Sequence, residues 1–169
     1  CAQAIIDSDL KCVVVAATDP NPKHSGNAYR LFHKAGVEVR RGVLEENATE
    51  LNAAFNHWIT NKTPYVTVKA AMTLDGKIAR ENGESRWITS EIARQKGMRI
   101  RNGMDAILVG IETVLADDPR LTIRAGRGGV RLRRVVLDSR ARTPLKAKIV
   151  ASNPAGLTTI VVLKGASRR

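Results

Sequence analysis

The chain has 169 residues, 43% apolar and 26% charged, the composition of an ordinary globular protein with room for about one domain and part of another. No apolar run approaches the roughly 18 residues that a spanning helix needs, so the chain reads as soluble, with a cytoplasmic setting expected and no membrane partner. The net charge of +12 is confined: residues 120–169 hold thirteen Lys/Arg against one acidic residue, whereas residues 1–60 hold six against seven and residues 61–119 nine against eight.

The first sixty residues alternate helix and strand signals. CAQAIIDSDLK reads as a helix end, with Ala2, Ala4, Ile5 and Ile6 as its apolar part. The chain starts at Cys1 without Met or a basic-then-apolar leader, which suggests a fragment. KCVVVAATDPNP is a β-branched run stopped by Asp19-Pro20-Asn21-Pro22, so it predicts a strand with Cys12 buried in it. SGNAYRLFHKAG has helical spacing through Ala28, Leu31, Phe32 and Ala35, closed by Gly36, and VEVRRGV predicts a short strand. LEENATELNAAFNHWI predicts one amphipathic helix, with Leu44, Ala48, Leu51, Phe55 and Trp58 on its apolar side.

Asn61-Lys62-Thr63-Pro64 interrupts this pattern, which divides the chain into residues 1–61 and 62–169. TPYVTVKAAM predicts a strand, and a helix follows over SEIARQKGMRIRNGM, with Ser90 as its N-cap and Glu91 at its positive end. DAILVG predicts a buried strand ending on Gly110, and IETVLADDPRLTI a short helix ending at Asp117-Asp118-Pro119. RRVVLDS, IVAS and LTTIVVLKG predict three more strands, with AGRGGVRLRR a flexible loop before the first of them. Strands alternating with helices in short units imply an α/β chain with a mainly parallel sheet.

Generic motifs are absent: there is no GxGxxG, Walker loop or HExxH, and none of His24, His33 and His57 has a sequence partner for catalysis. What stands out is VKAAMTLDGKIARENGESRWIT, which turns over Asp75-Gly76 and sets Ser85, Trp87 and Thr89 after a strand signal. A hairpin needs none of those three, whereas a pocket for a flat, polar, phosphorylated ligand could use them all. In open parallel sheets ligands bind beyond the carboxyl ends of strands. Gly110, Thr113 and the Asp117-Asp118 pair follow one such end, and Asp138, Ser139 and Arg140 follow another. Gly110 ahead of a helix offers free N–H groups suited to phosphate. Lys69, read as lying in an apolar strand, would need a carboxylate or phosphate partner. Between Arg120 and Arg169 there is no Phe, Tyr or Trp, which weighs against a single-strand or RNA reader despite the basic charge.

In these words and this order, the sequence resembles the bacterial bifunctional riboflavin-biosynthesis deaminase/reductase family. The matching stretches are CAQAIIDSDLKCVVVAATDPNP, AGVEVRRGVLEENATELNAAF, VKAAMTLDGKIARENGESRWITS, AILVGIETVLADDPRLTIR and VVLDSRARTP. The resemblance implies the C-terminal piece of a cytidine-deaminase-like domain over residues 1–61. A partial dihydrofolate-reductase-like domain over residues 62–169 would follow, acting in riboflavin biosynthesis. It implies an NADPH-dependent reduction of the ribosyl side chain of 5-amino-6-(5-phosphoribosylamino)uracil, with Ala71, Trp87, Thr113, Asp117 and Ser139 contacting NADPH, to which the helix start at Gly110 adds a cofactor contact by its own geometry. Ser85, Arg101, Leu121 and Arg124 would contact the pyrimidine ribose phosphate, with Lys69 and Asp117 as the candidates for polarising the ribose and relaying a proton. Arginine forks suit a phosphate, and an indole face suits a nicotinamide or ribose.

Cys1 matches the last zinc ligand of the family's deaminase, whose other ligands and proton-shuttling Glu would lie ahead of it, so zinc and hydrolytic deamination belong to the parent protein. The resemblance also implies a homo-oligomer, since family members associate through their reductase domains, and no nucleic-acid partner. It places a glycine-rich cofactor loop and a late substrate-binding Glu beyond residue 169, which predicts weak or absent ligand binding in isolation. The competing expectation is a basic α/β nucleic-acid-binding module on a degenerate enzyme core.

Overall fold

The computed structural model describes residues 1–24, 26–123, 132–152 and 156–166, and the chain divides into two compact units, Cys1–Val68 and Lys69–Arg169. The loop predicted over AGRGGVRLRR lies largely outside the described residues.

The first unit runs α1 (Ala2–Asp7), β1 (Cys12–Val15), α2 (Asn27–Lys34), β2 (Glu38–Arg41), α3 (Glu45–Leu51) and α4 (Ala53–Asn61). β1 and β2 pair in parallel with Cys12 opposite Glu38 and Val15 opposite Arg41, and α2 supplies the crossover that parallel neighbours require. Its apolar stripe seats Phe32, which with Val37 is buried. Gly36, at φ 72°, turns the chain from α2 into β2. Two expectations fail here. Cys12 is exposed, because a two-stranded sheet leaves one face of β1 uncovered. The single helix expected over residues 44–59 is broken at Asn52, whose side-chain amide donates to the Ala48 carbonyl at 2.9 Å beside its own backbone N–H at 3.1 Å. That competition for one acceptor interrupts the helix.

The second unit contains α5 (Glu91–Asn102), β3 (Ala106–Gly110), α6 (Ile111–Asp117), β4 (Arg133–Leu137), α7 (Lys148–Ala151) and β5 (Thr158–Val161). β3, β4 and β5 form a parallel sheet in that order, with Gly110 opposite Leu137 and Leu137 opposite Val161. Ile111 and Val114 from α6, Val136 from β4 and Ile149 from α7 form one core with Leu121 and Ala147. Both short helices therefore cover the same face of β4, the face to which alternation also turns Arg134 and Asp138. On the other face Leu108 and Leu137 are exposed, so β3 is half-buried rather than the fully buried strand expected. Arg134, 2% exposed, donates to the carbonyls of Arg120 at 3.1 Å and Ser152 at 3.3 Å, tying the turn after α6 to the end of α7.

Two further expectations are overturned. TPYVTVKAAM forms no strand: the stretch is mostly exposed, Val68 at 87%, and among the described residues no strand pairs with it. IVAS belongs to a helical turn, α7, rather than a strand. Asp118 decides this by accepting the Lys148 N–H at 2.8 Å and pairing with the Lys148 ammonium at 3.1 Å, which starts the turn and drops Ile149 into the core.

Candidate functional site

The stretch before α5 folds as two successive tight turns with the same bonding. In Thr73–Lys77 and again in Arg80–Glu84, the first N–H donates to the last carbonyl at 2.9 Å. Gly76 at φ 80° and Gly83 at φ 82° occupy the left-handed position of each. Asp-Gly and Asn-Gly are the residues such turns favour. Asp75 is used within its turn: the Thr73 hydroxyl and the Lys77 side chain hold its carboxyl below the usual range.

These turns lead into the segment that carries Ser85 and Trp87. The guanidinium of Arg94, on α5, lies 4.3 Å from the Trp87 ring centroid and donates to the Thr89 carbonyl at 2.6 Å. One indole face is thus held by a cation, while Trp87 as a residue stays 68% exposed. Arg86 reaches to α6, where it donates to the Asp117 carbonyl at 3.1 Å and lies 3.7 Å from its carboxylate. Thr113 is four residues before Asp117 and shares its side of α6, so Arg86, the residue before Trp87, reaches the side of the helix that carries both.

The first turn of α6 meets the loop after β4, where Arg142 forms an ion pair with Glu112. That loop carries Ser139, whose hydroxyl-bearing side chain is exposed and whose carbonyl accepts from the Leu163 N–H at 3.3 Å. Gly110 precedes α6 in an ordinary extended conformation, φ −79° and ψ 160°, and a β-carbon there would meet nothing within 4 Å. Neither backbone strain nor packing calls for glycine at this place, which leaves open space beside the helix start.

The other expected site residues are distributed as follows. Ser85, Ala71 and Arg101 are half-buried, and Arg101 donates to the Thr122 carbonyl at 3.4 Å. Leu121 is a core residue at φ 50°, so its side chain serves packing. Arg124 lies outside the described residues. Lys69 is exposed rather than buried, with its stem beside Gly97 of α5, and among the described residues no carboxylate pairs with it. The expected need for a buried counter-charge therefore falls away. Asp118 serves the α7 cap and is not free for acid/base work; the Lys148 N–H and ammonium hold its carboxyl low. Cys1 is exposed, and among the described residues no group of three or more His, Cys, Asp or Glu could hold a metal ion. The described residues thus do not fit a zinc site, and no step is assigned to one.

Sequence reasoning missed Arg86, Arg94, Glu112 and Arg142, the side chains that join the loops. Their only signal was position beside Trp87, Thr113 and Ser139. A shallow open groove of about 590 Å³ runs along Ile92, Gln95, Lys96, Arg99 and Ile100 of α5, and includes none of the site residues. No helix among the described residues is long and apolar enough to cross a membrane.

Residues 64–168 match the family described as the RibD C-terminal domain. The chain is 45% identical over 164 residues to the riboflavin biosynthesis protein RibD of Aquifex aeolicus, covering 97% of this chain and 46% of that relative. It is 43% identical over 155 residues to RibD of Bacillus amyloliquefaciens, covering 92% and 42%. Among solved structures, Acinetobacter baumannii RibD superposes with a TM-score of 0.82 at 38% identity, over 97% of this chain and 47% of that one. The Thermotoga maritima diaminohydroxyphosphoribosylaminopyrimidine deaminase/5-amino-6-(5-phosphoribosylamino)uracil reductase gives 0.84 at 39% identity, over 100% and 48%. The chain spans a little under half the length of these relatives. Its parallel α/β architecture matches theirs, and a basic nucleic-acid-binding module finds no support among them. This chain therefore belongs to the RibD C-terminal domain family, with residues 64–168 as its matching part.

Proposed function

We propose that this chain carries part of a riboflavin-biosynthesis reductase that uses NADPH to reduce the ribosyl side chain of 5-amino-6-(5-phosphoribosylamino)uracil. The family membership supports the reductase class, and the observation that carries the reading is the pair of links on α6. Arg86–Asp117 and Arg142–Glu112 tie the Trp87 segment and the Ser139 loop to one short helix. An extended dinucleotide needs such a row of contacts, in which no single group binds strongly.

In this reading the open face of Trp87 lies against a flat ring of the ligands, while Arg94 fixes the other face. The hydroxyls of Thr113 and Ser139 and the open space at Gly110 receive the cofactor, with Ala71 and Asp117 at its borders. NADPH, when bound, supplies the hydride to the reacting ribose carbon. The chain's own share is orientation: hydride transfer depends chiefly on bringing donor and acceptor carbons close and aligned. Arg101 and Arg124 hold the phosphate, with Ser85 and the backbone of Leu121 beside the sugar. The exposed ammonium of Lys69 polarises the reacting ribose, and Asp117 helps to hold its hydroxyls. The deaminase activity, its zinc and a homo-oligomeric assembly belong to the whole protein rather than to the residues described here.

The test is an NADPH titration followed by Trp87 fluorescence in a Trp58→Phe background, on the whole protein in which these residues occur. Saturable quenching is expected, weakened by Thr113→Val. A flat titration, or one that Thr113→Val and Ser139→Ala both leave unchanged, would remove the cofactor from this site.

A further inference from the structure

Asp138 is 0% exposed, and no role above uses it. It follows the last residue of β4 and turns its carboxylate to the covered face of the sheet, as Val136 does. Its Oδ2 accepts the N–H and the hydroxyl of Thr143, each at 2.7 Å, while among the described residues no donor meets Oδ1 at hydrogen-bond geometry, the N–H groups of Arg140 and Arg142 acting on the carboxyl less directly. Burial pushes the carboxyl up. The N–H of Arg142, the hydroxyl and N–H of Thr143 and the N–H of Arg140 outweigh that and hold it below the ordinary range. Among the described residues no cation pairs with it, so the ionised form depends on the loop's own donors.

The loop so folded is strained and pinned. Ala141 adopts φ 55°, where a β-carbon carries a steric cost, and its N–H donates to the Asp138 carbonyl at 3.1 Å. The Asp138 N–H donates to the Val161 carbonyl at 2.9 Å and the Leu163 N–H to the Ser139 carbonyl at 3.3 Å, which anchors the loop's start beside β5. Arg142 anchors its other arm to Glu112 in α6. Ser139 therefore sits between two fixed points, and the buried carboxylate sets the curvature between them.

We propose that Asp138 is a positioning residue for the cofactor: through Thr143 and the turn at Ala141 it presents the Ser139 hydroxyl beside the first turn of α6. Its own atoms, being buried, touch no ligand. This rests on the reading of Ser139 as a cofactor contact.

A double-mutant cycle on the whole protein tests it, with NADPH dissociation constants, KM and kcat measured for Ser139→Ala, Asp138→Asn and the pair. Each single change is expected to weaken NADPH about tenfold, the loss of one hydrogen bond to a charged ligand, with KM moving more than kcat. The pair is expected to bind no more weakly than either single variant, because both act on one contact. Thr143→Val, which keeps the backbone donor, gives a smaller loss in the same direction and replaces Asp138→Asn in the cycle if that variant does not fold. Additive losses overturn the proposal, as does a variant that melts earlier yet binds NADPH as before. Failure of the unaltered protein to bind NADPH overturns the reading of the site and this role with it, whereas binding with an additive cycle leaves that reading standing.

Discussion

Residues 64–102 and residues 106–161 both carry aliphatic and β-branched runs, yet only the second stretch builds a core. YVTVKAAM and the helix after it contribute no buried residue, and Ile92 on α5 is 80% exposed. AILVG and RRVVL contain similar residues but lie beside one another in register, with α6 and α7 across one face. Apolar sequence supplies the driving force for burial, and a neighbour at hydrogen-bonding distance decides whether it is used. The two stretches meet where Arg86 of the first bonds to Asp117 of the second, beside the candidate site residues.

The largest test of this contrast compares two aliphatic truncations. Ile149→Ala, emptying the fully buried centre of the core, should cost about 2–5 kcal/mol in denaturant unfolding. Val68→Ala should stay within about 0.5 kcal/mol. Equal losses would mean that the first stretch is packed as well as the second.

Arg134→Met comes next. It keeps much of the buried volume but leaves the carbonyls of Arg120 and Ser152 without their donor, which should cost about 1–3 kcal/mol. Amide exchange near both carbonyls should quicken, and an unchanged midpoint would show that these bonds are dispensable.

The smallest effect concerns acid. Lys148 holds the Asp118 carboxyl below its unfolded value of about 3.9. Its contribution is therefore present above that pH and lost as pH falls through the folded value. Asp118→Asn should melt earlier than the parent near neutral pH, with the gap closing as acid protonates the carboxyl. A gap that stays constant on acidification would remove the ionised cap from α7.

Local patterns were legible wherever the physics is local. Ser90 caps α5 by accepting the Ala93 N–H, Gly36 closes α2, and Asp75-Gly76 forms its turn, because each depends on residues within a few positions. Alternating strand and helix runs also fixed the parallel α/β class, since parallel neighbours need crossovers. IVAS was misread because its state depends on Asp118, thirty residues away, and YVTVKAAM because extended backbone becomes a strand only when paired.

By itself, the sequence determined the family words, the alternating parallel α/β class and most of the polar residues at strand ends. Tertiary structure alone decided that Leu121 is core, that Lys69 is exposed, that Asp118 caps α7 and that four arginine and glutamate side chains join the loops. The division follows from range: caps, turns and periodicity are set by neighbours in the chain. Burial, ion pairs and the partner of a carboxylate are set by whatever segment the fold brings alongside.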